Sequence, residues 1–172
     1  ESPLGDLLLT ADAQALTGLW FDGQKYFAYG LAESEACEEQ ENSILTDAKR
    51  WLDIYFSGNE PDFDLPLNPT GTDFQKRVWS ILCMIPYGKT MTYGQIAAQI
   101  AAERGIARMS AQAVGGAVGH NPLSIIVPCH RVVGTNGSLT GYAGGIDRKI
   151  KLLTLEGINM STFFVPKKGT AL

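Results

Sequence analysis

Two Thr-x-x-Gln quartets, Thr72 to Gln75 and Thr92 to Gln95, set where two helices begin. In such a quartet the threonine hydroxyl accepts from the third helical amide and the glutamine reaches back to the threonine amide, satisfying two donors that a helix start otherwise leaves bare. The first quartet opens a stretch with Phe74, Val78, Ile81, Leu82 and Ile85 on one face, closed by Pro86 and Gly88. The second turns Ile96, Ala97, Ile100 and Ala101 inward until Arg104-Gly105 breaks the pattern. Ser110 caps a third, short helix from Ala111 to Val118 that ends at Gly119. Short helices joined by a turn form a helix-turn-helix unit, which by itself is only a packing motif.

Upstream the pattern changes. Leu7 to Thr10, Leu16 to Phe21 and Tyr26 to Tyr29 read as short strands, with turns at Asp12-Ala13 and Asp22-Gly23, the second a hairpin signal. Glu33 to Asn42 is acidic and expected to be exposed. Ile44 to Phe56 carries Leu45, Ala48, Leu52, Tyr55 and Phe56 as a helical stripe stopped by Ser57-Gly58. Pro61, Pro66 and Pro69 mark an extended connection. The expected fold class is α+β: a sheet-plus-helix domain over residues 1–65, a linker over 66–70, a mostly helical domain over 71–160 and a tail over 161–172.

No apolar run approaches the roughly 20 residues of a membrane span, and neither a basic nor an apolar leader opens the chain. Cys37, Cys83 and Cys129 are an odd number at long spacings, which argues against a disulfide framework and for a reducing compartment, the cytoplasm. With only His120 and His130 beside them, no metal cluster and no cofactor are expected. The net charge of −4 hides an asymmetry. Residues 1–70 hold three basic against fourteen acidic side chains, a net of −11, whereas residues 71–157 hold nine against four, a net of +5. One basic half is what a phosphate partner requires, although two solvated faces would look the same.

The chemistry concentrates in Ser124 to Val133. Ile125, Ile126 and Val127 read as a short buried strand that Pro128 stops, presenting Cys129 at its end beside His130. A thiol needs help to lose its proton, and a histidine, directly or through one water, is the usual base. Neighbours on an extended chain face opposite ways, so the two side chains meet only if the backbone turns here or a water bridges them. The third helix is unusually thin: Ala113, Gly115, Gly116, Ala117 and Gly119 lack the long polar side chains that read major-groove edges. Such a helix suits either the minor groove, about 6 Å wide, or close packing against another helix.

Asn121-Pro122, Ile125 to Arg131 with its Pro-Cys-His-Arg, and Gly134 to Gly145 together resemble the O6-alkylguanine-DNA alkyltransferase family, single-use DNA repair proteins; the likeness runs from about Gly71 to Gly157. The resemblance implies a ribonuclease-H-like N-terminal domain acting as support and a winged helix-turn-helix-type C-terminal domain. It implies direct-reversal repair, in which the alkyl group of O6-alkylguanine, and more weakly of O4-alkylthymine, passes irreversibly to Cys129 after the nucleotide is flipped, without a cofactor. His130 would be the base through a water, Glu156 would orient His130, and Asn121 would brace the turn at the cysteine. Tyr93 would assist rotation and bind the guanine ring. The carbonyls of Cys129 and Val132 would accept the guanine amino group, with Tyr142, Ala143 and Gly144 forming the pocket lid. Arg131 would brace the two halves.

The partner implied is double-stranded DNA, gripped by a monomer through the minor groove without sequence preference, by Ser110, Gln112, Ala113, Gly115, Gly116 and Ala117 with Arg108 nearby. The family's finger is an arginine; here alignment puts Gln112 at that position, which can fill the gap but lacks the fixed charge and rigid fork. The alternatives are a non-catalytic alkylation-damage sensor, against which Cys129 argues; a DNA-binding regulator, for which the chain leaves no further module; and a thiol hydrolase, which needs an oxyanion hole and turns over.

Overall fold

The computed structural model describes residues 1–31, 40 and 42–167. The chain runs β1 (Leu7–Ala11), β2 (Leu16–Phe21), α1 (Ser43–Phe56), α2 (Asp73–Cys83), β3 (Met91–Thr92), α3 (Tyr93–Arg104), α4 (Ala111–Gly119), β4 (Val132–Val133) and α5 (Ile146–Leu155). β1 and β2 form an antiparallel hairpin, and β3 and β4 pair in parallel. Among the described residues no helix is long and apolar enough to cross a membrane. Most of the acidic stretch from Glu33 lies outside the described residues.

Each helix starts where its cap dictates. Thr72 and Thr92 both make complete capping boxes with Gln75 and Gln95, and Ser110 accepts from Ala113 at the head of α4. Gly105, at φ 62°, ends α3 in the left-handed conformation that costs glycine little. α2 stops at Cys83, before the Pro86 and Gly88 expected to close it.

Two expected strands give way to turns, and the hairpin turn lies where only one of the two expected turns was placed. The hairpin turn is Asp12 to Ala15, where Asp12 Oδ1 accepts from the amides of Gln14 and Ala15 at 2.7 and 2.8 Å. Asp22-Gly23 instead ends β2, with the Gln24 amide returning to the Phe21 carbonyl. Tyr26 to Tyr29 is a run of turns, with Tyr26 and Ala28 at positive φ. Ile125 to Val127 is not a strand: its amides bond back along the chain, Ile126 to the Ser124 carbonyl and Val127 to the Leu123 carbonyl, both at 2.9 Å. A short continuous run of β-branched residues cannot by itself tell a buried strand from a buried coil of the same residues. The tail is anchored as well, since the Leu139 amide donates to the Phe164 carbonyl at 2.8 Å.

The two halves share one core. Leu16, Leu19, Phe21, Ala48, Leu52 and Tyr55 pack in the same apolar cluster as Val78, Ile81, Val114 and Val127. Backbone bonds also cross: the Leu19 amide donates to the Pro122 carbonyl and the Ser124 amide to the Leu19 carbonyl, both at 2.8 Å. β2 thus braces the segment leading to Cys129 from its open edge. The Lys25 amide donates to the Ala143 carbonyl at 3.0 Å, holding the glycine-rich loop.

Thr92 caps the helix that carries Tyr93, so its loss separates cap from packing. Thr92→Ala is expected to cost about 1 kcal/mol, read as a lower urea midpoint at unchanged m-value, with Thr72→Ala giving a similar loss at α2.

Candidate active site

The coil that replaces the expected strand is held by one side chain. Asn121 Nδ2 donates to the carbonyls of Leu123 and Val127, at 3.3 and 2.8 Å, and its Oδ1 accepts from the Leu123 amide at 3.0 Å. Ile125 sits at φ 71°, a region a β-branched residue occupies only under constraint. The outcome is a turn that the strand reading did not contain. Cys129 opens a single 3₁₀ turn, Cys129–Arg131, and Asn121 Nδ2 also donates to Cys129 Sγ at 3.0 Å.

Cys129 is 3 % exposed. Burial raises its thiol above the ordinary value, opposed by the Asn121 hydrogen bond and the charge of Lys149, so the resting group is a thiol and needs a base. Tyr93, Tyr142 and Lys149 lie near enough for a charge on the sulfur to bear on each of them. Lys149 is fully buried and donates to the Val132 carbonyl at 2.5 Å and the Thr140 carbonyl at 2.9 Å. Burial lowers it to about 8, which still leaves it mostly protonated at neutrality.

His130 is also fully buried. Its Nε2 lies 2.6 Å from Glu156 Oε1, and its Nδ1 has no hydrogen-bond partner among the described residues. That pairing fixes the tautomer with hydrogen on Nε2 and a lone pair on Nδ1, the form a base requires. Burial lowers the imidazole below its ordinary 6.5, with Glu156 partly opposing, so it is neutral at pH 7. Burial pushes the Glu156 carboxyl up, but His130 and Arg131 outweigh it and bring it to about 2.

Glu156, far from an exposed helix-end acid, is saturated with donors. Tyr55 Oη reaches Oε1 at 2.8 Å, Arg131 Nη2 reaches Oε1 at 3.1 Å and Nε reaches Oε2 at 2.9 Å, and the Gly88 amide reaches Oε2 at 3.1 Å. Arg131 also donates to the Ile85 carbonyl at 2.7 Å and lies over the Tyr87 ring. Its side-chain bonds stay within the C-terminal half, so the expectation that it braces the two halves is corrected: the side chain that reaches Glu156 from the N-terminal half is Tyr55. Sequence reasoning took Tyr55 as apolar stripe, although a buried tyrosine hydroxyl usually finds a partner. Lys149 was missed too. It shares a helix face with Leu152, Leu153 and Glu156, at helical spacings that were legible.

Tyr93 donates to the carbonyls of Thr140 and Gly141 at 3.1 and 3.0 Å, tying α3 to the loop that carries Tyr142. A Cβ on Gly141 would stand 2.8 Å from that hydroxyl, and φ there is +65°, so only glycine fits. Tyr142 is buried and its hydroxyl has no hydrogen-bond partner among the described residues, Gly144 is buried, and Ala143 is half-buried. On α4, Gln112, Ala113 and Gly116 are exposed, and a Cβ on Gly116 would meet nothing within 4 Å. Gly115 lies against Tyr93. Ser110 and Arg108 are exposed at its head. Ala117 is 4 % exposed and its carbonyl accepts from Trp79 Nε1 at 2.8 Å, so its place among the surface residues of α4 is corrected: the helical period turns it inward.

The pairing predicts two acid stages of destabilisation. An imidazole held below 6.5 in the fold contributes stability present above its unfolded value and lost as pH falls through the folded one. Glu156 does the same lower down, its contribution complete above about 4.5 and lost toward about 2. The urea midpoint is expected to fall in both windows, and Glu156→Gln to flatten the lower one.

The family model described as "6-O-methylguanine DNA methyltransferase, DNA binding domain" matches residues 73–158, and "6-O-methylguanine DNA methyltransferase, ribonuclease-like domain" matches residues 1–69. A methylated-DNA–protein-cysteine methyltransferase of Methanosarcina barkeri is 46 % identical over 161 residues, covering 93 % of this chain and 96 % of the relative. One of Mycobacterium bovis is 46 % identical over 156 residues, covering 91 % and 88 %. The crystal structure of Mycobacterium tuberculosis OGT in complex with DNA superposes with a TM-score of 0.76 at 46 % identity, covering 91 % of this chain and 89 % of that one. With both halves matched and these relatives aligned over most of their length, the chain belongs to the 6-O-methylguanine DNA methyltransferase family.

Proposed function

We propose that this protein repairs alkylated DNA by taking the alkyl group of O6-alkylguanine, and more weakly of O4-alkylthymine, onto Cys129 in a reaction each molecule performs once. The observation that carries this reading is the buried thiol beside a neutral imidazole whose Nε2 is held by Glu156 and whose Nδ1 is unpartnered. The thiol proton passes to His130 Nδ1 through a water. Sγ attacks the alkyl carbon, the carbon–O6 bond breaks, and guanine leaves with a proton, so the proton lost by sulfur is balanced by the one gained by the base. A thioether has no group to expel, and the protein is spent.

The target base reaches Sγ only outside the duplex stack, at a cost of a few kcal/mol that damage lowers. Gln112 fills the gap, while Ala113, Gly115 and Gly116 let α4 approach the minor groove and Ser110 and Arg108 meet the backbone. No long side chain on this face reads base edges, which suits binding without sequence preference. Tyr93 exchanges its bonds to Thr140 and Gly141 for the incoming ring, and the lid of Tyr142, Ala143 and Gly144 closes over it. The Val132 carbonyl, already bonded to Lys149, keeps one lone pair for the guanine amino group. A single chain supplies every group, so a monomer suffices, and the free thiol suits a reducing compartment such as the cytoplasm.

Incubation with a duplex bearing O6-methylguanine, followed by peptide mass mapping, is expected to place one methyl group on Cys129 and none on Cys129→Ala. His130→Ala should slow transfer ~10²–10⁴-fold. The wild-type rate should be flat near neutrality and fall only on the acid side of the ordinary imidazole value of 6.5, where the depressed imidazole takes a proton. Tight binding without transfer would mark a damage sensor, and repeated turnover a hydrolase. Gln112→Ala should weaken binding to the damaged duplex by about 1 kcal/mol, roughly fivefold in Kd, with the mass-mapped product unchanged.

A further inference from the structure

We propose that Tyr55 is a positioning residue of the reaction: the N-terminal half supplies a hydroxyl that holds the Glu156–His130 pair in the arrangement leaving Nδ1 free. This inference rests on the alkyl-transfer reading above. Tyr55 Oη donates to Glu156 Oε1 at 2.8 Å and stands 3.2 Å from His130 Nε2, while Nε2 and Oε1 are 2.6 Å apart. The three polar atoms close a triangle with no exposed residue in it. Its corners come from the last turn of α1, the 3₁₀ turn after Pro128 and the C-cap of α5.

The placement is rigid. The Tyr55 ring stacks on Trp51 at 5.5 Å and 9° and meets Phe56 and Tyr87 edge-on, so the hydroxyl is delivered by packing that a phenylalanine would keep. Burial and the Glu156 charge raise its phenol far above the ordinary value, so it stays a neutral donor. The other charges bearing on His130 are Arg131 and Lys149, both of which lower its proton affinity. Tyr142 faces it edge-on with a neutral hydroxyl, and Cys129 precedes it in the turn.

The sign of the effect follows from this census. A donor on Oε1 spreads part of the carboxylate charge. Without it, Glu156 stabilises the imidazolium more strongly, and His130 holds its proton to higher pH. A residue that only packs would not move that equilibrium.

The test is the pH dependence of single-turnover methyl transfer from an O6-methylguanine duplex, wild type against Tyr55→Phe. The acid limb is expected to shift upward by about half a unit or more, so that transfer at the acidic end falls several-fold while the alkaline plateau changes less. An unmoved limb, or one moved downward, overturns the proposal. Should Tyr55→Phe not fold, 3-fluorotyrosine at position 55 is a stronger donor and should shift the limb downward; no shift overturns the proposal equally. If wild-type protein accepts no methyl group, the transfer reading itself fails. The His130 ring titration followed by NMR in wild type and Tyr55→Phe then still tests the placement, an upward shift supporting it and coincident curves refuting it.

Discussion

The structure depends on one buried carboxylate. Glu156 carries a charge at a site where leaving it unpaired would cost several kcal/mol, and it is tolerated because five donors converge on its two oxygens. Those donors come from α1, the loop after α2, and the 3₁₀ turn at Cys129, so meeting the needs of one charge locates three separated segments. A buried ion pair of this kind adds little net stability compared with an apolar core. Its contribution is geometric: it orients an imidazole whose other nitrogen is then open.

The second constraint is the coil around Ile125. The three backbone bonds made by Asn121 close a loop that the local sequence, rich in β-branched residues, does not favour. The strain is supported from outside, because β2 bonds the Pro122 carbonyl and the Ser124 amide along one edge and Gln24 Oε1 accepts from Ser124 Oγ. The acidic N-terminal half therefore reaches the centre through the β2 backbone and the Gln24 side chain at the Cys129 coil, and through the Tyr55 hydroxyl at Glu156.

How much of this was legible divides along sequence distance. The capping boxes, the stop at Gly105 and the amphipathic helices are local and were readable, because their partners lie three or four residues away. The coil at Ile125 was not, since a short continuous apolar run is shared by strands and buried turns and the deciding bonds come from one asparagine side chain. Tyr26 to Tyr29 failed for the same reason, its aromatic residues suggesting a strand where positive φ values make turns. The Cys-His pair stood out only with its flanking motif. Tyr55 and Glu156 are 101 residues apart, and no periodicity joins them.

Charge bookkeeping explains why the basic half need not be uniformly basic outside. Arg131 and Lys149, two of its nine cations, are buried, and of its four acids so is Glu156. The interior therefore holds two cations against one carboxylate while the thiol and imidazole are neutral. Lys149 is depressed to about 8 because burial strips its water and no formal counter-ion replaces it. A thiolate at Cys129 would be that counter-ion: the sulfur's charge raises Lys149, and Lys149 lowers the thiol. The site therefore spends its resting state one positive charge in excess, and moving the thiol proton to His130 leaves that sum unchanged while setting the new negative charge beside Lys149. Burial alone makes Cys129 a poor acid, and the surplus charge around it favours the ion that attacks.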